Sequence, residues 1–94
     1  MLYLIVAHDG TDPEAQARRA AVRPAHLVGA KQRADAGLMP LGGAILNAAG
    51  EMVGSALVVE AETEAAARAI VESDPYTESG VWVRYEIWPF KRAF

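Results

Sequence analysis

One histidine and one aspartate frame the chemistry this chain can offer. His26 lies three residues after Arg23 and seven after Arg19. On a helix those spacings stack the three side chains along one face. Two guanidinium groups beside an imidazole suit an anionic ligand. Asp74 comes much later, in Asp74-Pro75-Tyr76, where a carboxylate could orient an imidazole or accept a proton. Tyr76 adds a phenolic donor. Spacing alone leaves plainer readings open: a surface histidine on an arginine-rich solvated face, an aspartate that only stops a helix before proline, and a tyrosine that only packs.

Other motifs carry less. His8 and Asp9 end an apolar run, and a metal site from His8, His26 and a carboxylate is conceivable, but two histidines make no ligand-spacing pattern. No metal is expected, and no cofactor is implied. Gly42-Gly43 lacks the surroundings of a phosphate loop. There is no cysteine, which excludes disulfides, thiolate nucleophiles and cysteine metal sites within the chain.

The elements that must position these groups can be read from pattern. Leu2 to His8 is a continuous apolar run bounded by Asp9-Gly10, the mark of a buried strand. Asp12 reads as an N-cap with Pro13 at the first helical position. Pro13 to Ala36 is rich in helix formers. Pro24 interrupts it and predicts a kink or two helices, the second starting at Pro24. Gly37 is the stop. Leu38 to Leu46 is a second strand, loosened by Pro40 and Gly42-Gly43 in a way that suits an edge. Asn47-Ala48-Ala49-Gly50 is a hairpin connection to a third strand, Glu51 to Glu60. Thr63 caps a helix to Glu72 with Ala66, Ala69 and Ile70 as its inward stripe. Val81 to Phe90 is the last strand, with Val81, Val83, Tyr85 and Ile87 on one face and Trp82, Arg84, Glu86, Trp88 and Phe90 on the other.

The order β-α-β-β-α-β is the ferredoxin-like arrangement, an α+β fold with a four-stranded antiparallel sheet, here in one domain spanning residues 1–94. Two helices cover only one face of such a sheet. Yet Leu2, Leu4 and Val6 are as apolar as Tyr3, Ile5 and Ala7. The uncovered face would be a large apolar patch, which predicts a homodimer packed through the sheet face. A net charge of −3, from 9 basic and 12 acidic residues, argues against a nucleic-acid partner. The short apolar start has no basic lead, and no stretch is long enough to span a bilayer, so a cytoplasmic protein without a membrane partner is expected.

Together the residues Arg19-x-x-x-Arg23-Pro24-x-His26-Leu27, Leu41-Gly42-Gly43, Gly50-x-x-x-Gly54-Ser55, Asp74-Pro75-Tyr76 and Ile87-x-Pro89-Phe90 resemble the YciI-like, or YCII-related, family of small bacterial proteins. The resemblance spans nearly the whole chain. It implies a ferredoxin-like fold that dimerises as an α/β barrel, and an active site centred on His26 and Asp74. Most members have no assigned reaction, whereas some relatives remove chloride from chlorinated hydroxyquinols. Gly29-Ala30 stands where many relatives are bulkier, which would widen the pocket. The expectation is lyase- or isomerase-type acid–base chemistry on a small anionic or phenolic molecule, with Arg23, Arg19 and Tyr76 binding it. The alternative is a non-catalytic module that binds a small ligand or assists a neighbouring protein.

Overall fold

The computed structural model describes all 94 residues. The elements run β1 (Leu2–Asp9), α1 (Ala15–Asp35), β2 (Leu41–Leu46), β3 (Met52–Glu60), α2 (Glu64–Glu72), α3 (Pro75–Glu78) and β4 (Trp82–Phe90). The strands form one sheet in the order β2-β3-β1-β4, with every neighbouring pair antiparallel. This is the ferredoxin-like βαββαβ fold. No helix is long and apolar enough to cross a membrane.

Burial alternates along β1 with the two-residue period of a strand. Tyr3, Ile5, Ala7 and Asp9 are buried, while Leu2, Leu4, Val6 and His8 are half-buried. The first set faces the helices. Through the β1–β3 register it sits beside Val59, Leu57 and Ser55. Ala67 and Val71 of α2, Tyr76 of α3, and Val81 and Trp82 complete the core. The opposite face carries Leu2, Leu4 and Val6 with Val58, Ala56, Leu41, Trp88 and Phe90, as the pairing registers dictate.

Two glycines are demanded by geometry. Gly37 has φ +76°, the left-handed conformation that ends α1, and the next N–H, of Leu38, bonds back to the Arg33 carbonyl at 2.8 Å. At Gly54 any Cβ would lie 2.6 Å from the Ala7 carbonyl oxygen, so β3 can approach β1 there only without a side chain.

The second strand begins at Leu41 rather than Leu38, and the structure departs from the sequence expectations at four further places. Asp12 does not cap α1. Residues 12–14 form a turn, the helix starts at Ala15, and the Asp12 carboxylate pairs instead with the Arg18 guanidinium. Pro24 does not start a new helix but lies inside α1. The bond it cannot donate would end on Ala20, and both residues are on the exposed side, where water serves the free carbonyl. The inward stripe of α2 is Ala67 and Val71 with Ile70 half-buried, and Ala66 and Ala69 are exposed.

The last departure shapes the site. The β1–β4 register shifts between His8 and Asp9, so His8 pairs with Arg84 and Asp9 with Trp82. Val83 is the extra residue of this bulge, and it is 61% exposed. Trp82 therefore leaves the face of Trp88 and Phe90 and turns under the helices, where it is buried.

Candidate active site

His26 projects from α1 and is buried. Its Nδ1 lies 2.8 Å from Asp74 Oδ1 and 3.0 Å from Oδ2. Asp74 is held by its own turn: it is the N-cap of α3, and Oδ1 also accepts the Tyr76 backbone N–H at 2.9 Å. Pro75 at the first helical position stiffens that turn. A carboxylate can only accept, so Nδ1 must carry a proton. In the neutral ring Nε2 is then the basic nitrogen. It has no protein partner and stays open to solvent.

Aromatic rings fix the imidazole on its other sides. Tyr76 stacks on it with centroids 4.0 Å apart and planes at 13°. Trp82 meets it edge-on at 5.5 Å and 74°. The Arg19 guanidinium covers Tyr76, 4.8 Å from its centroid. Burial pushes the Tyr76 phenol up from its ordinary range, against the pull of Arg19 and Arg23 and with the help of Asp9 and Asp74.

A second, drier network lies behind this stack. Arg19 Nη1 donates to Asp9 Oδ1 at 2.9 Å and Oδ2 at 3.0 Å, and Nη2 donates to Ser55 Oγ at 3.0 Å. Trp82 Nε1 donates to the same Ser55 oxygen at 3.2 Å. The Arg19 and Asp9 side chains are 6% and 3% exposed, so this ion pair is cut off from water.

Between α1 and the β2–β3 half of the sheet lies a cavity of about 410 Å³ that is open to solvent. Arg19, Arg23, His26 and Tyr76 all line it, and Leu27, Met39 and Leu57 give it apolar walls. Ala30, where bulk was expected to be missing, lines it too. The structure thus brings His26, Asp74, Tyr76, Arg19 and Arg23 into one region, but it separates the two arginines in kind. Arg23 is exposed and forms no ion pair. Arg19 is committed to Asp9 and Ser55, so its charge is neutralised and it is not the free anion-binding group that helix spacing implied.

Sequence reasoning did not place Asp9, Ser55 and Trp82 here. Asp9 and Ser55 carried a usable signal. Asp9 has the strand parity of Tyr3, Ile5 and Ala7, and Ser55 that of Leu57 and Val59. Trp82 had none, because the bulge reverses its face. His8 ends on the opposite face of the sheet, with Nε2 against the Glu86 carboxylate at 2.8–2.9 Å. It shares no site with His26.

A ferredoxin-like domain with a histidine–carboxylate pair beside a partly apolar cavity is the class these features define. The model of the YCII-related domain matches residues 1–91. The Protein YciI of Escherichia coli O6:H1 is 36% identical over the full length of both chains. Fusaric acid biosynthesis protein 2 of Gibberella moniliformis is 33% identical over 95% of this chain and 91% of its own. Among solved structures, 5-chloro-2-hydroxyhydroquinone dehydrochlorinase (TftG) from Burkholderia phenoliruptrix AC1100, in complex with 2,5-dihydroxybenzoquinone, superposes with a TM-score of 0.86 at 28% identity, covering 99% of this chain and 96% of that one. The chain belongs to the YCII-related family.

Proposed function

We propose that this protein is a small-molecule enzyme of the lyase or isomerase type, with His26 as its acid–base group. The observation that carries the reading is the 2.8 Å contact between His26 Nδ1 and Asp74 at the edge of a cavity. Asp74 fixes the tautomer, so Nε2 takes a proton from the substrate, and the carboxylate stabilises the imidazolium that forms. The imidazolium then returns the proton to a second substrate atom in an isomerisation, or to the leaving group or solvent in an elimination. Arg23 attracts a small anionic or phenolic substrate to the mouth, while Tyr76, fully buried, holds the imidazole by stacking on it rather than binding the substrate as the sequence suggested. Arg19 shapes the floor rather than neutralising substrate charge. The dehydrochlorinase among the structural relatives supports a reaction of this kind.

The test is turnover of a panel of chlorinated and hydroxylated aromatics, followed by absorbance and chloride release. His26→Ala should lower kcat by about 10²–10⁴-fold, the usual worth of a positioned acid–base group. Arg23→Gln should act mainly on KM. The open mouth of the cavity favours a second reading, a ligand-binding module without chemistry. Ligand binding in the wild type, with no turnover across the panel and no effect of His26→Ala on affinity, would establish that reading instead.

A dimer through the uncovered sheet face belongs to the same proposal. Leu41, Trp88 and Phe90 on that face are 68%, 47% and 38% exposed, a cost that a second copy removes. Sedimentation should give a dimer for the wild type and a folded monomer for Trp88→Glu. A wild type that sediments as a monomer at micromolar concentration rules the dimer out.

A further inference from the structure

The Asp74 contact decides which nitrogen of His26 carries the proton, but a contact at Nδ1 alone leaves the ring free to tilt and to slide. Nε2 lies across the ring from that contact, so either motion swings it away from a substrate atom. Two further rings remove this freedom. Tyr76 lies flat on the imidazole with planes at 13°, which opposes tilting. Trp82 is 5.5 Å from the imidazole and 5.4 Å from Tyr76, at 74° and 65° to their planes. Near-equal distances to both members of a stack put the indole beside it, where it opposes sliding.

Trp82 is itself held. Its Nε1 donates to Ser55 Oγ, which also accepts from Arg19 Nη2, and the Arg19 guanidinium lies against the Tyr76 ring. Arg19, Ser55, Trp82 and Tyr76 thus close a circuit of contacts drawn from α1, β3, β4 and α3. The bulge at Val83 is what turns Trp82 into it, and bulges beside active sites re-aim side chains in this way. Trp82 is buried and is not part of the cavity wall. It can act on a bound molecule only through His26.

We propose that Trp82 is a positioning residue for His26, with Ser55 as its anchor. Asp74 sets the tautomer, and Trp82 sets where Nε2 points. This rests on the reading of His26 as the acid–base group. A misplacement of about 1 Å between reacting atoms costs about 10²-fold in rate, so the loss of Trp82 acts on turnover. Substrate binding, which Trp82 does not touch, is left alone.

Trp82→Phe tests this. It keeps an aromatic ring, loses the bond to Ser55 and the breadth of the indole, and leaves Ser55 in place for Arg19. Val71→Ala is the control, since it destabilises the core from a side chain that does not line the cavity. On a substrate from the panel, Trp82→Phe should lower kcat about tenfold with KM unchanged, and Val71→Ala should keep the wild-type kcat. Nitrogen-15 and carbon-13 NMR of the His26 ring gives a readout that needs no turnover. The wild type should show narrow ring signals with the proton on Nδ1. Trp82→Phe should keep that tautomer, because Asp74 is intact, while its ring signals broaden by exchange. Narrow ring signals in Trp82→Phe overturn the proposal whatever the panel shows. A kcat loss matched by Val71→Ala overturns it too, because the effect is then one of stability. If the ring broadens but His26→Ala leaves turnover intact, Trp82 still positions the ring and the acid–base reading alone falls.

Discussion

The space beneath α2 and the space beneath α1 are built on opposite principles, although both lie on the same face of one sheet. Under α2 the sheet meets Ala67, Ile70 and Val71, and the packing is apolar and closed. Under α1, a helix of 21 residues, the buried side chains are Ala15, Arg19 and His26. A long helix that buries an arginine and a histidine gains little from the hydrophobic effect. It stands over a cavity, and what fixes its place is polar: Arg19 to Asp9 and Ser55, His26 to Asp74. One half is held by apolar burial, and the other by bonded polar groups. Buried ion pairs are poor sources of net stability, but removing one partner alone is strongly destabilising.

The sharpest way to break that comparison is at Arg19. Arg19→Ala leaves the Asp9 carboxylate buried without a partner, which should cost about 3–5 kcal/mol. A chain of this size holds only on the order of 5–14 kcal/mol in total, so the variant should sit close to unfolding. The double variant Asp9→Leu/Arg19→Met replaces the pair with apolar volume and should recover most of the loss in urea denaturation. It should not recover ligand binding. If it binds ligand as the wild type does, the buried pair does not organise the cavity.

Much of this division was legible in the sequence, and what was hidden has physical causes. The βαββαβ order followed from apolar runs and from the Thr63 and Gly37 signals, because each rests on local backbone chemistry. The His26–Asp74 contact spans 48 residues, and only the family-like frame pointed to it. The pairing of Arg19 with Asp9 was open to a strand-parity argument, since Asp9 continues the inward series of Tyr3, Ile5 and Ala7. Trp82 was beyond any periodic reading. The bulge at Val83 is a property of two strands in register, and one strand's sequence does not show it. The same limit applies to Gly54, whose need for a missing side chain is set by the Ala7 carbonyl across the ladder.

A smaller effect is expected on the apolar side. Val71 is fully buried in α2, and Val71→Ala should cost about 2 kcal/mol through lost burial and the cavity left behind. Val71 does not line the α1 cavity, so ligand affinity should stay as in wild type. Chemical denaturation and calorimetric titration on one sample would check both halves. A parallel loss of stability and affinity would mean the two regions act as one unit.

The smallest effect concerns alkaline pH, and it tests the dry floor of the cavity directly. Burial raises the Tyr76 phenol above its ordinary value, chiefly by desolvation, with Arg19 and Arg23 opposing and Asp9 and Asp74 assisting. The folded state therefore holds the phenolic proton more tightly than the unfolded chain, whose tyrosines titrate near pH ~10. The sign follows. The contribution is fully present below the unfolded value, and it is lost as pH rises from there through the raised folded value. One proton limits the slope to about 1.4 kcal/mol per pH unit. Tyr76→Phe has no proton to lose at this position. Its stability should fall less steeply above pH ~10 than that of the wild type, while every other titrating group cancels in the difference. Val71→Ala should keep the wild-type slope at a lower level. Superimposable profiles for wild type and Tyr76→Phe would mean that the phenol titrates as in water. The floor beneath α1 would then be wet, and the contrast between the two halves of the sheet would rest on Arg19 and Asp9 alone.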